Sequence, residues 1–549
     1  MRDGLCSDGR SRSVSGSGQD LEPVASSDAE DAAHLGRLGY TQELSRVLGL
    51  FDNFSVAFSY LSPMVGVYSL FVLGAGAGGP RYIWLVPIVV GFMLLVALVF
   101  GELGSAYPVS GALYQYGRRS VGRRWGWWVG WIYGIALLVT VASVDTGIVP
   151  YFCALLDNVA GTHLDPSSHT TILVVTIVLI LVQGSLNTVG ARVMGQVARF
   201  GVYVETIGTF GVAIALGIAG FHHGLGFLLR THGAADLRTN TLGVGFGGKW
   251  WTGAALVAVL ANVYIFYGFE SAGDIAEETK EASRQVPRAM RSALVYGGIA
   301  SFVLIGGLLL AIPSGPKGYG DALSFAGGIP VILAELPTWL QDVFLLVICV
   351  AFFSCGTAVQ GAGSRLAFSY ARDRQIPGSG WVRKVSTRFH TPANAVVVAT
   401  VVPLLFTLLV AVNPSHDIHI LWFVYPTGVN ALTALVSFGV SGIYLSFLLT
   451  VIGSMVARAR GWQPEGRFQL GAWGWPVSIV AAAYLAVMFV NVIYPSGLSS
   501  PRGSLFNFDW ITLVVMLVII IVGGAYFLLA RPWRHLPADD SVEAETTRA

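Results

Sequence analysis

Apolar runs of about 18 to 25 residues, parted by short polar stretches, recur along the chain from about residue 50 to residue 530. Each is long enough to cross a hydrocarbon core of about 30 Å as an α-helix, a form that satisfies its backbone hydrogen bonds within the segment. The pattern predicts an all-α integral membrane protein with twelve spans. These lie near 50 to 73, 82 to 105, 126 to 152, 170 to 187, 198 to 220, 254 to 275, 292 to 313, 341 to 368, 393 to 412, 429 to 456, 474 to 494 and 509 to 530. An even count puts both termini on one side of the bilayer. Residues 1 to 45, rich in Ser, Gly, Asp and Arg without a continuous apolar run, are expected to be a disordered tail that stays attached, and residues 531 to 549 a second tail.

Lys and Arg collect in cytoplasmic loops, so their placement tests the count. Arg118, Arg119, Arg123 and Arg124, then Arg192 and Arg199, then Lys280 to Arg291, Arg372 to Arg388, and Arg458 to Arg467 fall in every second loop, with Arg37, Arg46, Arg531 and Arg534 in the tails. The opposite loops hold only Arg81, Arg230, Arg238, Lys249, Lys317 and Arg502. Both termini are therefore expected in the cytoplasm, and the loop from 221 to 253 outside.

Composition agrees with a bilayer protein: 54% of the residues are hydrophobic and 12% charged, about half the charged fraction of a soluble domain. A net charge of +2 gives no global reason to expect a nucleic-acid partner. Cys6, Cys153, Cys349 and Cys355 have no CxxC spacing, and the ten histidines fall in tails or predicted loops. No metal site, cofactor or intramembrane histidine relay is expected. There is no P-loop and no nucleophile elbow to suggest an enzyme, and no polar rings to suggest a channel.

Two spans are interrupted. The first contains "YLSPMVGVYS", where Pro63 lacks an amide donor and Ser62 and Gly66 ease local unwinding. The sixth contains "FYGFESAG", with Glu270 between Gly268 and Gly273. Alone, Pro63 reads as a kink in a packed helix. With a repeat of five spans, however, the two interruptions occupy corresponding positions, as in secondary transporters that expose half-helix ends to a substrate. In span 3, Gly126, Gly130 and Gly134 of "GWWVGWIYG" share one face and suit close packing inside the bundle, while Trp125, Trp127, Trp128 and Trp131 read as an interfacial belt.

A charge at mid-membrane costs about 2.5 to 3.5 kcal/mol on insertion scales, so each intramembrane acid needs a reason. Glu102 and Asp145 lie near span ends and are expected to reach water. Glu205, in "VYVETIG", is well inside span 5 and is either structurally paired or a coupling group. Glu270 either caps the second half of its broken helix, or serves a substrate ammonium or gates the site on protonation.

The stretch "YGFESAGDIAEETKEASRQVPRAM", with "GELGSAYPVSGALYQYG" and "SRLAFSYARDRQIPG" in the expected order, resembles the amino acid, polyamine and organocation permease superfamily. "FDNFSVAFSYLSPMVGVYSLF" is most similar to its branch for amino acids, choline and 4-aminobutyrate. The resemblance covers roughly residues 45 to 530. It implies a leucine-transporter-type inverted repeat, spans 1 to 5 (46 to 220) and 6 to 10 (254 to 456), with spans 11 and 12 (457 to 530) outside it. Backbone around Ser62, Pro63, Met64, Val65, Gly66 and Val67 would receive a substrate carboxylate. Tyr267, Gly268, Phe269, Glu270 and Ser271 would face its amine and side chain. Many members carry a coupling proton on a span 5 lysine; span 5 here has none and offers Glu205. Ser354 and Thr357 could serve a sodium ion, but a proton is preferred. The expected function is proton-coupled import of an amino acid or related amine across the plasma membrane. Amine exchange and organocation transport are the alternatives, and the tails hold no recognisable signalling domain.

Overall fold

A computed structural model describes residues 22–231, 250–323, 328–410, 418–420, 423–425, 431–494 and 511–535. The first half holds α1 (Glu22–Arg37), α2 (Leu50–Leu61), α3 (Pro63–Gly78), α4 (Leu85–Ala106), α5 (Ala112–Ser120), α6 (Arg123–Gly147), α7 (Val149–Ala160), α8 (His169–Val189) and α9 (Ala191–Ala219). After them come α10 (Ala254–Ile265), α11 (Ser271–Asp274), α12 (Ala282–Leu310), α13 (Pro316–Ala322), α14 (Gly328–Leu333), α15 (Thr338–Arg372) and α16 (Ser379–Val382). Helices α17 (Ala393–Val410), α18 (Ala431–Ala459), α19 (Gly474–Ile493) and α20 (Ile511–Ala530) complete the chain, with a two-stranded hairpin, β1 (Ile418–Ile420) and β2 (Phe423–Tyr425), between α17 and α18.

Among the described residues, ten helical stretches are long and apolar enough to cross a membrane, and two shorter apolar helices, Ala254–Ile265 and Ala393–Leu408, fall where spans 6 and 9 are expected. Burial sorts them. In the α2–α3 stretch 83% of the apolar window is buried, against 28% in α8 and 11% in α20. Helices α2 and α3 lie among α9, α10, α12 and α15, so the first broken span runs through the middle of the bundle. On α9, Tyr203, Ile207, Ile214 and Ile218 are exposed at helical spacing. In hydrocarbon such a face costs nothing, because lipid tails are as apolar as the side chains.

Part of the expected disordered tail is helical: α1 sets His34 Nε2 3.2 Å from the Ala106 carbonyl, and Asp31 pairs with Arg46 at 2.8 Å and accepts from the Glu281 amide. The glycine face of α6 is a packing face. A Cβ at Gly126 would lie 2.6 Å from the Arg118 backbone of α5, and one at Gly130 would collide with the Tyr370 ring of α15. The tryptophan belt is not borne out for Trp127. Its ring is fully buried, 5.4 Å from Trp131 and 5.0 Å from Phe527 of α20, and the Trp131 indole donates to the Ile519 carbonyl at 3.0 Å. The rings fasten the last helix to α6 because an indole N–H in an apolar setting needs an acceptor.

Candidate functional site

At Ser62 the first span breaks, with φ 33° and ψ 93°. Pro63 then starts α3 at the position where its missing amide costs nothing. The next amides are all engaged: Met64 donates to Glu205 Oε1 at 2.8 Å, Val65 to Ser62 Oγ at 3.2 Å, and Gly66 to the Ser62 carbonyl at 3.0 Å. The Ser62 hydroxyl also donates to Glu205 Oε1 at 2.8 Å. Glu205, projecting from α9, thus stands where an anion at a helix N-terminus is stabilised by free amides and the helix dipole. Val67 continues α3, and Gly66 lets α3 approach α10 so closely that a Cβ there would collide with Ile265.

The sixth span breaks between Ile265 and Ser271. Gly268 has φ +106°, and a Cβ on it would lie 2.7 Å from the Leu61 amide nitrogen and 3.0 Å from the Tyr60 carbonyl carbon. The two breaks therefore touch, backbone against backbone, at the one residue type that fits the left-handed conformation without a side chain. Tyr267 meets Tyr60 edge-on at 5.9 Å, Phe269 packs against Phe100 and Phe447 at 6.0 and 5.7 Å, and Ser271 Oγ donates to the Gly268 carbonyl at 2.7 Å. Glu270 heads α11, but its side chain takes no bond from the α11 amides, so the simple cap is corrected. It turns back to accept from the Gly268 amide at 2.7 Å.

Two residues not singled out from the sequence complete this end. Asp274, four positions beyond Glu270, accepts from the Tyr133 hydroxyl at 2.8 Å, while Tyr133 stands 3.4 Å from Glu270. Asp274, Glu270 and Tyr133 are fully buried. The spacing of four was the available signal, since it puts two side chains on one helical face. Among the described residues, the ion pairs lie elsewhere, Arg118–Asp373, Arg365–Glu278, Arg372–Glu277, Arg458–Glu102 and Arg199–Asp52 among them. None reaches Glu205, Glu270 or Asp274.

The other intramembrane acids depart from expectation. Glu102 does not reach water: it is buried, paired with Arg458, and accepts from the Leu470 amide at 2.8 Å. Asp145 is also buried and accepts from Gln183 at 2.7 Å. Each lay near a span end by hydropathy, which measures position along one helix and not the neighbours packed over it. Ser354 reaches the Ser59 hydroxyl at 3.2 Å, whereas Thr357 bonds its own helix at the Phe353 carbonyl, 2.8 Å away. It is Cys355 that faces a carbonyl of the first break, Tyr60, at 3.4 Å.

Comparison with known proteins adds a family. The sequence model described as "Amino acid permease" matches residues 48–525. "Amino-acid permease BAT1" of Arabidopsis thaliana is 25% identical over 538 residues, covering 94% of this chain and 98% of its own, and the "Amino-acid permease BAT1 homolog" of Oryza sativa subsp. japonica is 25% identical over 516 residues, covering 91% and 94%. The "GABA-specific permease" of Saccharomyces cerevisiae is 23% identical over 565 residues, covering 100% of this chain and 92% of its own. All are named as permeases, carriers and not enzymes.

Proposed function

The chain belongs to the amino acid permease family, and from that premise we propose that it is a secondary active transporter importing an amino acid or related amine across the plasma membrane by alternating access, with a proton as the coupling ion. In this reading the chain crosses the bilayer twelve times. Spans 1 to 5 and 6 to 10 form inverted repeats of the leucine-transporter type, and both termini face the cytoplasm. Substrate lies between the breaks, against Ser62 to Val67 on one side and Tyr267 to Ser271 on the other. The observation that carries the reading is the contact of the two breaks at Gly268 and Leu61. Interrupted helices meeting inside a bundle are what a mid-membrane site of this kind requires.

Glu205 is the proposed coupling group. A carboxylate holding the Met64 amide and the Ser62 hydroxyl becomes a weaker acceptor once protonated, which loosens the hinge between α2 and α3. Ser354 and Thr357 are the positions a sodium ion would use, but the Ser354 hydroxyl is bonded to Ser59 and the Thr357 hydroxyl is turned to its own backbone. One proton entering with a neutral zwitterion gains about 2.3 kcal/mol at 100 mV, enough for about fiftyfold accumulation. The test is uptake into proteoliposomes of a panel of α-amino acids and 4-aminobutyrate, under an inward proton gradient or an inward sodium gradient. Proton-driven accumulation is expected. Uptake driven by sodium alone would reject the coupling assignment, and no uptake of any amine by folded protein would reject the transporter reading.

A further inference from the structure

We propose that the outer face of α12 holds an anionic phospholipid, its phosphate on Arg288 and Arg291 and one acyl chain along Val295, Tyr296 and Ile299. The site lies outside the contact between the two breaks, needs only that α12 crosses the membrane, and is independent of the substrate and the coupling ion. A groove of about 470 Å³ runs along this face, lined by Arg288, Arg291, Ser292, Val295, Tyr296 and Ile299. Its polarity is graded along the helix. At about 1.5 Å per residue, Val295 and Ile299 stand roughly 6 and 12 Å further into the apolar part of α12 than Arg291, and both are exposed. That is the order of a lipid's own parts, charge at the bilayer surface and hydrocarbon beneath it.

The two arginines have no acids of their own. Arg284, one turn earlier, pairs with Glu281 at 3.5 Å, and Arg467 pairs with Glu30 at 2.9 Å, but among the described residues no acid pairs with Arg288 or Arg291. Arg291 is held in place: its Nε donates to the Pro287 carbonyl at 3.0 Å and its guanidinium stands 4.5 Å from the centre of the Phe468 ring, which leaves the two terminal nitrogens for a ligand. Ser292 adds no donor, because its hydroxyl bonds the Arg288 carbonyl at 2.7 Å. Two guanidinium groups three positions apart share one helical face, repel each other, and suit a phosphate that accepts from both. Basic clusters where helices leave the bilayer recognise anionic headgroups in this way, and a free phosphate would leave the apolar half of the groove unused. The groove also touches the first broken span. The Tyr296 ring lies 5.2 Å from Phe58 and 6.2 Å from Phe54 of α2, and its hydroxyl donates to Thr206 of α9 at 3.0 Å. A chain seated on Tyr296 braces α12 against α2, so occupancy should appear as thermal stability.

The test is the rise in melting temperature of the full chain, purified in detergent, as dioleoyl phosphatidylglycerol, dioleoyl phosphatidylcholine or glycerol 1-phosphate is titrated in. The first two share their chains and differ in charge, and the third is the charged headgroup alone. Phosphatidylglycerol should reach its half-maximal effect at a concentration about tenfold or more below that of phosphatidylcholine, and glycerol 1-phosphate should have no effect. The double variant Arg288→Gln, Arg291→Gln should erase the advantage of phosphatidylglycerol, whereas Arg288→Lys, Arg291→Lys should keep part of it. Arg192→Gln with Lys384→Gln removes the same charge from exposed positions elsewhere and should leave the advantage intact. Equal action of the two lipids, an equal loss in the Arg192 and Lys384 variant, or stabilisation by glycerol 1-phosphate to the same extent overturns the inference. If the double glutamine variant does not fold, Arg288→Gln alone decides: its side chain is exposed, and losing it should weaken phosphatidylglycerol severalfold without moving phosphatidylcholine.

Discussion

Glu205 has a role at the scale of one residue that substitutions can divide into two. Glu205→Gln keeps an oxygen to accept from the Met64 amide and the Ser62 hydroxyl, so thermal stability should stay close to wild type while proton-driven accumulation is lost and substrate counterflow persists. Glu205→Ala orphans both donors and should cost about 1 to 3 kcal/mol, read as a lowered melting temperature. Gly268 and Gly220 make a second pair. Both have positive φ, but a Cβ at Gly220 meets nothing within 4 Å, whereas one at Gly268 strikes the backbone of the first break. Gly220→Ala should therefore show backbone strain alone, about 1 to 2 kcal/mol. Gly268→Ala adds a clash no side chain can relieve, and transport should be abolished. Glu205 and Glu270 stood out in the sequence because carboxylates inside apolar spans are rare. Asp274 did not, since beyond the break the chain turns polar and one more acid looks ordinary there.

Between elements, the basic residues read as markers of orientation turn out to be partners. The segment after α11 is tied to α15 by Glu278–Arg365 at 3.0 Å, with both side chains fully buried, and by Glu277–Arg372 at 2.8 Å. The Val47 and Leu48 amides donate to the Glu278 carbonyl, so the segment entering α2 closes over the same place. Arg365→Gln leaves Glu278 buried and unpaired, which should cost about 3 to 5 kcal/mol. Much of that should return in the double variant with Glu278→Gln, as measured by a thermal double-mutant cycle; a loss no smaller in the double variant would mean the pair itself is not what Arg365 supports. Helix α1 offers a pH-dependent contact. Burial first, and Arg37 second, hold the His34 imidazole below its ordinary pKa of 6.5. Because docked His34 binds a proton less readily than free His34, docking of α1 is strongest above that pH and weakens as the pH falls through it. Limited proteolysis after Arg37 should accelerate between pH 7.5 and 5.5 and lose that dependence in His34→Asn.

For the molecule as a whole, orientation has a direct test. In a Cys6→Ser background, whose remaining cysteines are buried, Asp165→Cys should react with an impermeant maleimide from outside intact cells, and Lys384→Cys only after permeabilisation. The reverse result would invert the topology drawn from Lys and Arg. The sequence alone determined the membrane class, the succession of apolar helices and the two places where helices break, because apolar length, charge bias and Pro or Gly interruption are properties of one segment at a time. It could not determine which acid meets which partner. Ser62 and Glu205 are 143 residues apart, and Tyr133 and Asp274 are 141 apart. Such pairs depend on how packed helices are rotated about their own axes, and only the tertiary structure decided that, burying Glu102 and Asp145 against partners and bringing three acids around the contact of two broken helices.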